Sequence, residues 1–236
     1  MIAAALGLAA GGAAAALYGA LEPNNSLFGP VTGRGPRDRR VYLTFDDGPN
    51  PQATGAILET LARHGVPAAF FMVGAHVRRY PGVARAVAAG GHAIGNHTDT
   101  HPKLHLAGPR RTWGELKAAH EAIVGATDVA PRLFRAPHGY RNPLVLREAR
   151  RLGYRTLGWT FGVWDSARPG TEEIRRRMRR GLCPGAILLL HDGDGYDPHG
   201  DRLQTAEALG GIIADVAEAG YRFAPISDLL PDAVDR

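Results

Sequence analysis

Beyond position 39 the apolar residues gather in short runs. They are Val41 to Phe45, Ala68 to Val73, His92 to Asn96, Leu133 to Arg135, Thr156 to Val163, Ala186 to His191 and Tyr221 to Ala224. Most are too short for a helix and too continuously apolar for a strand with one wet face, so they predict strands covered on both sides. Amphipathic segments lie between them, and the alternation predicts parallel strands joined by crossover helices, curled into an α/β barrel. The segments are punctuated as helices should be. Gly65, Gly90 and Gly153 stand where a left-handed C-cap would fall, and Asn142-Pro143 offers an N-cap followed by a first-turn proline. Leu203, Ala206, Leu209, Ile213, Val216 and Ala217 recur at helical spacing before Gly220 and predict a core-facing stripe.

The chain before position 39 is patterned differently. Residues 1–21 carry no charged side chain, and fourteen of them are Ala or Gly. As a helix they would span roughly the 30 Å core of a bilayer, which makes them a membrane anchor or an uncleaved signal. No Lys or Arg precedes the stretch to form a signal-peptide n-region, and Arg34, Arg37, Arg39 and Arg40 follow it, which by the positive-inside tendency favours a cytoplasmic domain. Residues 22–38, rich in Pro, Gly and Asn, read as a linker to a single domain over 39–236.

Composition narrows the classes. With 236 residues, 44% hydrophobic and 22% charged, the chain suits one globular domain and a leader. The formal charge of +5 owes much to an arginine-rich block from Arg175 to Arg180, read as the solvated face of a helix. With no aromatic residues interleaved there, nucleic acid is not indicated. Cys183 is the single cysteine, so no internal disulfide forms.

Five of the apolar runs end in residues that carry chemistry, at the face where β/α barrels place their active sites. The first ends in Asp46-Asp47-Gly48-Pro49, two adjacent carboxylates that cannot both stay ionised in a dry site without a compensating cation. About fifty residues on, His97 and His101 stand at i and i+4, a spacing that places both on one face of a helical turn. Alone, the first motif is an ordinary turn and the second an ordinary histidine pair. Together they supply an Asp, His, His set that leaves coordination positions open. Arg135-Ala136-Pro137-His138-Gly139, Trp164-Asp165 and Leu188-Leu189-Leu190-His191-Asp192 follow in order.

These five motifs, spread from Val41 to Asp192, resemble those of the polysaccharide deacetylases of the NodB-homology class, carbohydrate esterase family 4. The resemblance implies a distorted (β/α)7-type barrel as a single NodB-like domain, and a metal-dependent hydrolase that removes acetyl groups, chiefly N-acetyl, from a carbohydrate such as peptidoglycan or chitooligosaccharide. By the same resemblance Asp47, His97 and His101 are metal ligands, Asp46 is the general base and Arg135 its partner. His191 is the general acid, and Asp165 orients it and raises its pKa. The backbone N–H of His138 would meet the oxyanion, and Leu189 would line the acetyl pocket. Tyr140, Trp159 and Trp164 are candidate stacking surfaces for sugar. The expected metal is zinc, in a site that cobalt, nickel, iron or manganese also fits. The family's polymer substrates place the domain outside the cytoplasm, against the charge pattern after residue 21.

The sequence departs from the family twice. His138 stands where Tyr or Phe is usual, and Ser166 follows Asp165 where Trp is usual, with Trp164 preceding instead. Asp192 to Asp197 imitates a calcium loop but has Asp at the sixth position, where the sharp turn requires Gly, and reads as a flexible rim loop. No phosphate-binding glycine loop and no G-x-S-x-G is present, so neither a nucleotide nor a serine nucleophile is implied. Two other readings remain open: hydrolysis of a small non-peptide amide on the same site, and a catalytically weak carbohydrate-binding protein of the envelope.

Overall fold

The chain's central strand, β1 (Arg40–Asp46), is buried from Val41 to Asp46 because it has sheet neighbours on both sides and packing on both faces. The structure is a computed structural model describing residues 2–230; Met1 and residues 231–236, the end of the expected domain, lie outside the described residues. The strands that follow are β2 (Ala68–Met72), β3 (Ala93–Asn96), β4 (Leu133–Phe134), β5 (Arg155–Thr156), β6 (Phe161–Gly162), β7 (Ile187–His191) and β8 (Arg222–Phe223). All pair in parallel, in the order β5-β4-β3-β2-β1-β7-β6, and β8 lies beside the first two residues of β1. The curled sheet with its crossover helices is the (β/α)7-type barrel expected.

The two-residue period of β1 decides what faces where. Val41, Leu43 and Phe45 join the outer core, where helices α2 (Ala53–His64) and α8 (Leu203–Glu218) supply Ile57, Leu61, Leu209, Ile212 and Val216. Tyr42 turns the other way, into an inner cluster with Phe71, Leu133, Leu157 and Ile187. Thr44 and Asp46 share its phase. The strand therefore delivers a carboxylate to the barrel interior at its C-terminal end.

Residues 22–38, expected as a linker, are fastened to the barrel. Thr32 bridges Leu157 beyond β5, and Arg34 bridges Ala186 before β7, so the segment fills the gap between the two sides of the curled sheet. This also corrects the single strand expected over Thr156 to Val163, which is two short strands, β5 and β6, interrupted at Leu157 to Thr160. There Thr32 accepts from the Gly158 amide and Asn24 from the Trp159 amide, between the bonds of Leu157 to Phe134 on β4 and of Thr160 to Ile187 on β7. Gly158 permits the approach, since a Cβ there would stand 2.2 Å from Asn24 Oδ1.

Helix α1 (Ile2–Leu21) precedes this segment, and its Ala20 carbonyl accepts from the Arg141 amide at 3.0 Å. Among the described residues no helix is long and apolar enough to cross a membrane. Gly65 and Gly153 are left-handed as expected, at φ 62° and 77°. Gly90 is not: its φ is −70°, and Gly91 takes the left-handed position at 73°. Asn142 caps the helix α6 (Pro143–Arg151) through Leu144 and Val145. On α7 (Thr171–Gly181) the arginine block is ion-paired, to Glu172, Glu173 and Asp215.

Starting the chain at residue 39 removes the hydrogen bonds of Thr32 to Thr156 and Gly158, of Gly35 to Gly185 and of Gly33 to Thr160. At about 1 kcal/mol each, the melting temperature should fall by roughly 10 °C. A chain starting at residue 22 should melt within about 3 °C of the full chain. Circular dichroism melts of the three proteins check this, and equal values for all three would show that the segment contributes nothing to the barrel.

Candidate active site and metal centre

Asp46, the last residue of β1, is only 4% exposed. Its Oδ1 accepts from Arg135 Nη1 at 2.7 Å, and the same nitrogen donates to Thr44 Oγ1 at 2.8 Å. Arg135 is wholly buried, with its other terminal nitrogen on the Gly158 carbonyl and its guanidinium over the Phe71 ring. Burial presses the arginine's pKa down and the Asp46 charge opposes it. This is a buried, hydrogen-bonded ion pair, the arrangement in which a carboxylate keeps its charge out of water.

Asp47 leaves the strand in a left-handed conformation, φ 76°, and so turns its carboxylate toward the neighbouring loop. His76 holds its backbone by donating from Nδ1 to the Asp47 carbonyl at 3.0 Å. His97 follows β3 directly. The expectation of a helical turn for His97 and His101 is wrong: the segment is a loop with Thr98 and His101 left-handed, at φ 69° and 56°. Side chains bend it instead. Thr98 Oγ1 accepts from the His101 amide, and Glu115 accepts from the amides of Asp99 and Thr100. The doubled-back loop still brings the imidazoles together, with ring centroids 5.1 Å apart.

The ligand atoms of Asp47, His97 and His101 lie within 4.8 Å of one another. His97 donates Nδ1–H to the Arg135 carbonyl at 2.8 Å, which leaves a lone pair on Nε2, 3.3 Å from Asp47 Oδ1. Asp47 Oδ1 is 3.0 Å from His101 Nε2 as well, yet it is buried without a hydrogen-bond partner. Acceptors this close repel unless a proton or a cation sits among them. Titration says the same. Burial lowers the His97 pKa, but Asp46 and Asp47 outweigh it and raise it; burial raises that of Asp47, but His101 and His97 hold it well below the usual carboxylate range. The residues fit a divalent metal.

On the next strand the chemistry is reversed. His191 ends β7 in register with Asp46. Its Nδ1 donates to Asp165 Oδ1 at 2.8 Å and its amide to Oδ2 at 2.8 Å, while Thr205 donates to Oδ2. Burial would lower the imidazole's pKa, but Asp165, helped by Asp47 and Asp46, raises it to about 9. Asp165 moves oppositely: burial raises it and His191 brings it below its ordinary value.

All of these line or back one cleft of about 470 Å³. Its walls include Asp46, Asp47, His97, His101, His191 and the expected substrate residues His138, Tyr140, Trp164 and Leu189, with Trp159. Arg135 and Asp165 stand behind, each gripping a lining residue. Tyr196, Gly195 and Asp194 also line the cleft and were not foreseen, because they belong to the loop read as a flexible rim; Arg202, just beyond that loop, lines it too. The one available signal was a tyrosine set among glycines and aspartates. Asp192 faces away: it accepts from Thr54 Oγ1 at 2.6 Å, and burial pushes its carboxyl up to about 7.

The family model for polysaccharide deacetylases matches residues 33–157. The chain is 42% identical, over 81% of its length and 92% of the relative's, to a chitooligosaccharide deacetylase of Rhizobium leguminosarum bv. trifolii. Among solved structures, it is similar to a peptidoglycan N-acetylglucosamine deacetylase, with TM-score 0.80, 27% identity, and 87% of this chain and 95% of that one covered. It is also similar to a carbohydrate esterase family 4 pseudoenzyme from Bacillus anthracis, with TM-score 0.77, 29% identity, and 85% and 68% covered.

The purified protein should carry about one divalent metal per chain, and His97→Ala with His101→Ala should abolish it. Elemental analysis after dialysis reads the outcome. Full occupancy in the double variant would remove these residues from the metal site.

Proposed function

This chain belongs to the polysaccharide deacetylase family, and from that premise we propose a hydrolysis in which Asp46 and His191 divide the proton transfers between them. The protein is a metal-dependent carbohydrate deacetylase. The observation that supports the division of roles is the contrast between register neighbours at the cleft floor. Asp46 is paired to a buried cation and His191 to a buried anion.

Asp47, His97 and His101 would hold a divalent cation, zinc by donor type, which would supply a Lewis acid for the acetyl carbonyl and lower the pKa of the attacking water. Asp46, ion-paired with Arg135, takes the proton from the attacking water as its oxygen bonds to the carbonyl carbon. The His138 N–H donates to the oxyanion that forms. His191, protonated before the reaction, gives its proton to the sugar nitrogen as the carbon–nitrogen bond breaks. Acetate and a free amine leave. Leu189 supplies an apolar floor for the acetyl methyl, and Trp164, Tyr140 and Trp159 offer faces for the sugar ring.

The substrate proposed is an N-acetylglucosamine-containing glycan, either chitooligosaccharide or peptidoglycan, on the likeness to relatives named for those activities. Such polymers lie outside the cytoplasm, and we place the domain there. The likeness to a pseudoenzyme supports a second reading, a carbohydrate-binding protein without turnover. Against it stands a complete set of ligands, base and acid directed at one cleft.

Acetate release from N-acetylated oligosaccharides tests the function, and two variants test the roles. Asp46→Asn should keep the metal and lose at least about a hundredfold in kcat. Metal loss equal to that of Asp47→Ala would show that Asp46 is a ligand.

Activity should fall as pH rises through about 9, the value to which His191 is raised. Asp165→Asn should move that limb of kcat/KM down by about one unit or more, where one unit is about 1.4 kcal/mol, and leave the acid limb in place. The fold should follow the same window. Because the folded pKa is the raised one, the pair's stabilisation is complete below the free value of 6.5 and is lost as pH climbs through about 9. An alkaline limb unmoved in the metal-loaded variant would separate Asp165 from His191.

A further inference from the structure

β5 ends at Thr156 and β6 begins at Phe161, and the two stand at opposite ends of the strand order, β5 beside β4 and β6 beside β7. Trp159 sits in the opening between them. A residue there lacks the neighbouring strand that would pair with its amide and its carbonyl. Asn24 supplies both partners. Its Oδ1 accepts from the Trp159 amide at 3.2 Å and its Nδ2 donates to the Trp159 carbonyl at 2.8 Å, so one side-chain amide stands in for the peptide group of a missing strand. Glycines admit it on both sides. A Cβ at Gly33 or at Gly158 would stand 2.2 Å from Asn24 Oδ1.

The chain around Asn24 is tied to the loop after β4. The Ala20 carbonyl accepts from the Arg141 amide, and the buried Arg141 guanidinium donates to the carbonyls of Gly139 and Asn25. Asn24 is thus anchored through its neighbours, while its own side chain is free to hold Trp159. What the clamp sets is the place of the indole. Trp159 lines the cleft, a Cβ at Gly139 would stand 2.8 Å from the tip of its ring, and the Arg135 guanidinium lies 5.8 Å from the ring centroid. The ring therefore bridges the loop that carries His138 and the arginine that holds Asp46. An aromatic side chain binds sugar by its face, and a turn of the backbone beneath it turns that face away.

We propose that Asn24 is a positioning residue of the substrate cleft: by pairing with both backbone groups of Trp159 it fixes the indole against which the N-acetylated sugar stacks. A residue of the N-terminal segment, outside all five motifs, then sets affinity for the glycan. The identity of the ligand rests on the deacetylase reading above. Simple bracing of the fold makes a different prediction. Asn24 is exposed, and if it served stability alone its loss would lower the melting temperature and leave sugar affinity unchanged.

The test uses the full, metal-loaded chain and N-acetylglucosamine hexasaccharide. Asn24→Ala should raise KM at least about threefold, the worth of one net hydrogen bond, and leave kcat within about twofold. Trp159→Ala should raise KM at least as much. The double variant decides, because Asn24 acts through that ring: its KM should equal that of Trp159→Ala. Asn24→Asp keeps the acceptor for the Trp159 amide and loses the donor to its carbonyl, so it should fall between wild type and alanine. Dissociation constants measured by calorimetry in the Asp46→Asn background, where turnover is suppressed, should follow the same order. Unchanged KM and dissociation constant in Asn24→Ala, whatever its melting temperature, overturn the proposal. So does a double variant in which the two losses multiply. Sugar that binds without release of acetate by the wild-type protein overturns the deacetylase reading instead, and the dissociation constants still decide for or against Asn24. Sugar that neither binds nor is hydrolysed overturns both.

Discussion

Two carboxylates side by side at the end of a buried strand set the electrostatic problem that the rest of the site solves. Asp46 and Asp47 are 4% and 7% exposed, and neither can hold its charge in that position without positive partners. They are compensated separately. Asp46 receives a buried guanidinium from beyond β4, and Asp47 receives two imidazoles from beyond β3 and a place for a cation among them. The separation follows from backbone geometry: Asp46 keeps the inward phase of the strand, whereas Asp47, at φ 76°, has left it. Leaving either charge uncompensated would cost on the order of 3–5 kcal/mol, a large share of a domain's net stability.

The same compensation orders the chemistry. His97 is fixed by the carbonyl of Arg135, the residue whose side chain holds Asp46, so one residue orients the His97 imidazole and the Asp46 carboxylate together. His191 stands one strand away with the opposite dependence, its positive charge favoured by a buried carboxylate. Asp46 and His191 therefore face buried partners of opposite charge while remaining register neighbours. Sheet pairing fixes their relative position more rigidly than two loops would.

Segments outside the regular strands shape the cleft around this centre. The N-terminal stretch fills the gap in the sheet, and Asn24 grips both the amide and the carbonyl of Trp159. Pro23 packs against Gly139, beside His138. From the opposite side the loop after β7 lays Tyr196 across His101. The floor of the cleft is thus set by strand ends, while its walls, with His138, Trp164 and Tyr196, are set by loops.

How much of this was legible in the sequence depends on whether the controlling interaction is local. Parallel strands buried on both faces must be apolar runs, so β1, β2, β3 and β7 could be read nearly to the residue, and left-handed caps require glycine at Gly65 and Gly153. The ligand set was legible because few residue types bind a divalent metal, and the strand ends they occupy were legible with it. The sequence by itself therefore determined the fold class, the face of the barrel that carries the site and its candidate residues. Only the tertiary structure decided that Thr156 to Val163 breaks into two strands, because at Gly158 and Trp159 its partner is an N-terminal segment with no strand pattern of its own. The convergence of His97 and His101 likewise comes from two left-handed residues and the reach of Glu115, not from helical spacing. Periodicity records burial and local backbone preference. It does not record which side chains meet across a barrel mouth, and the contact of Tyr196 with His138 joins residues whose strands never touch.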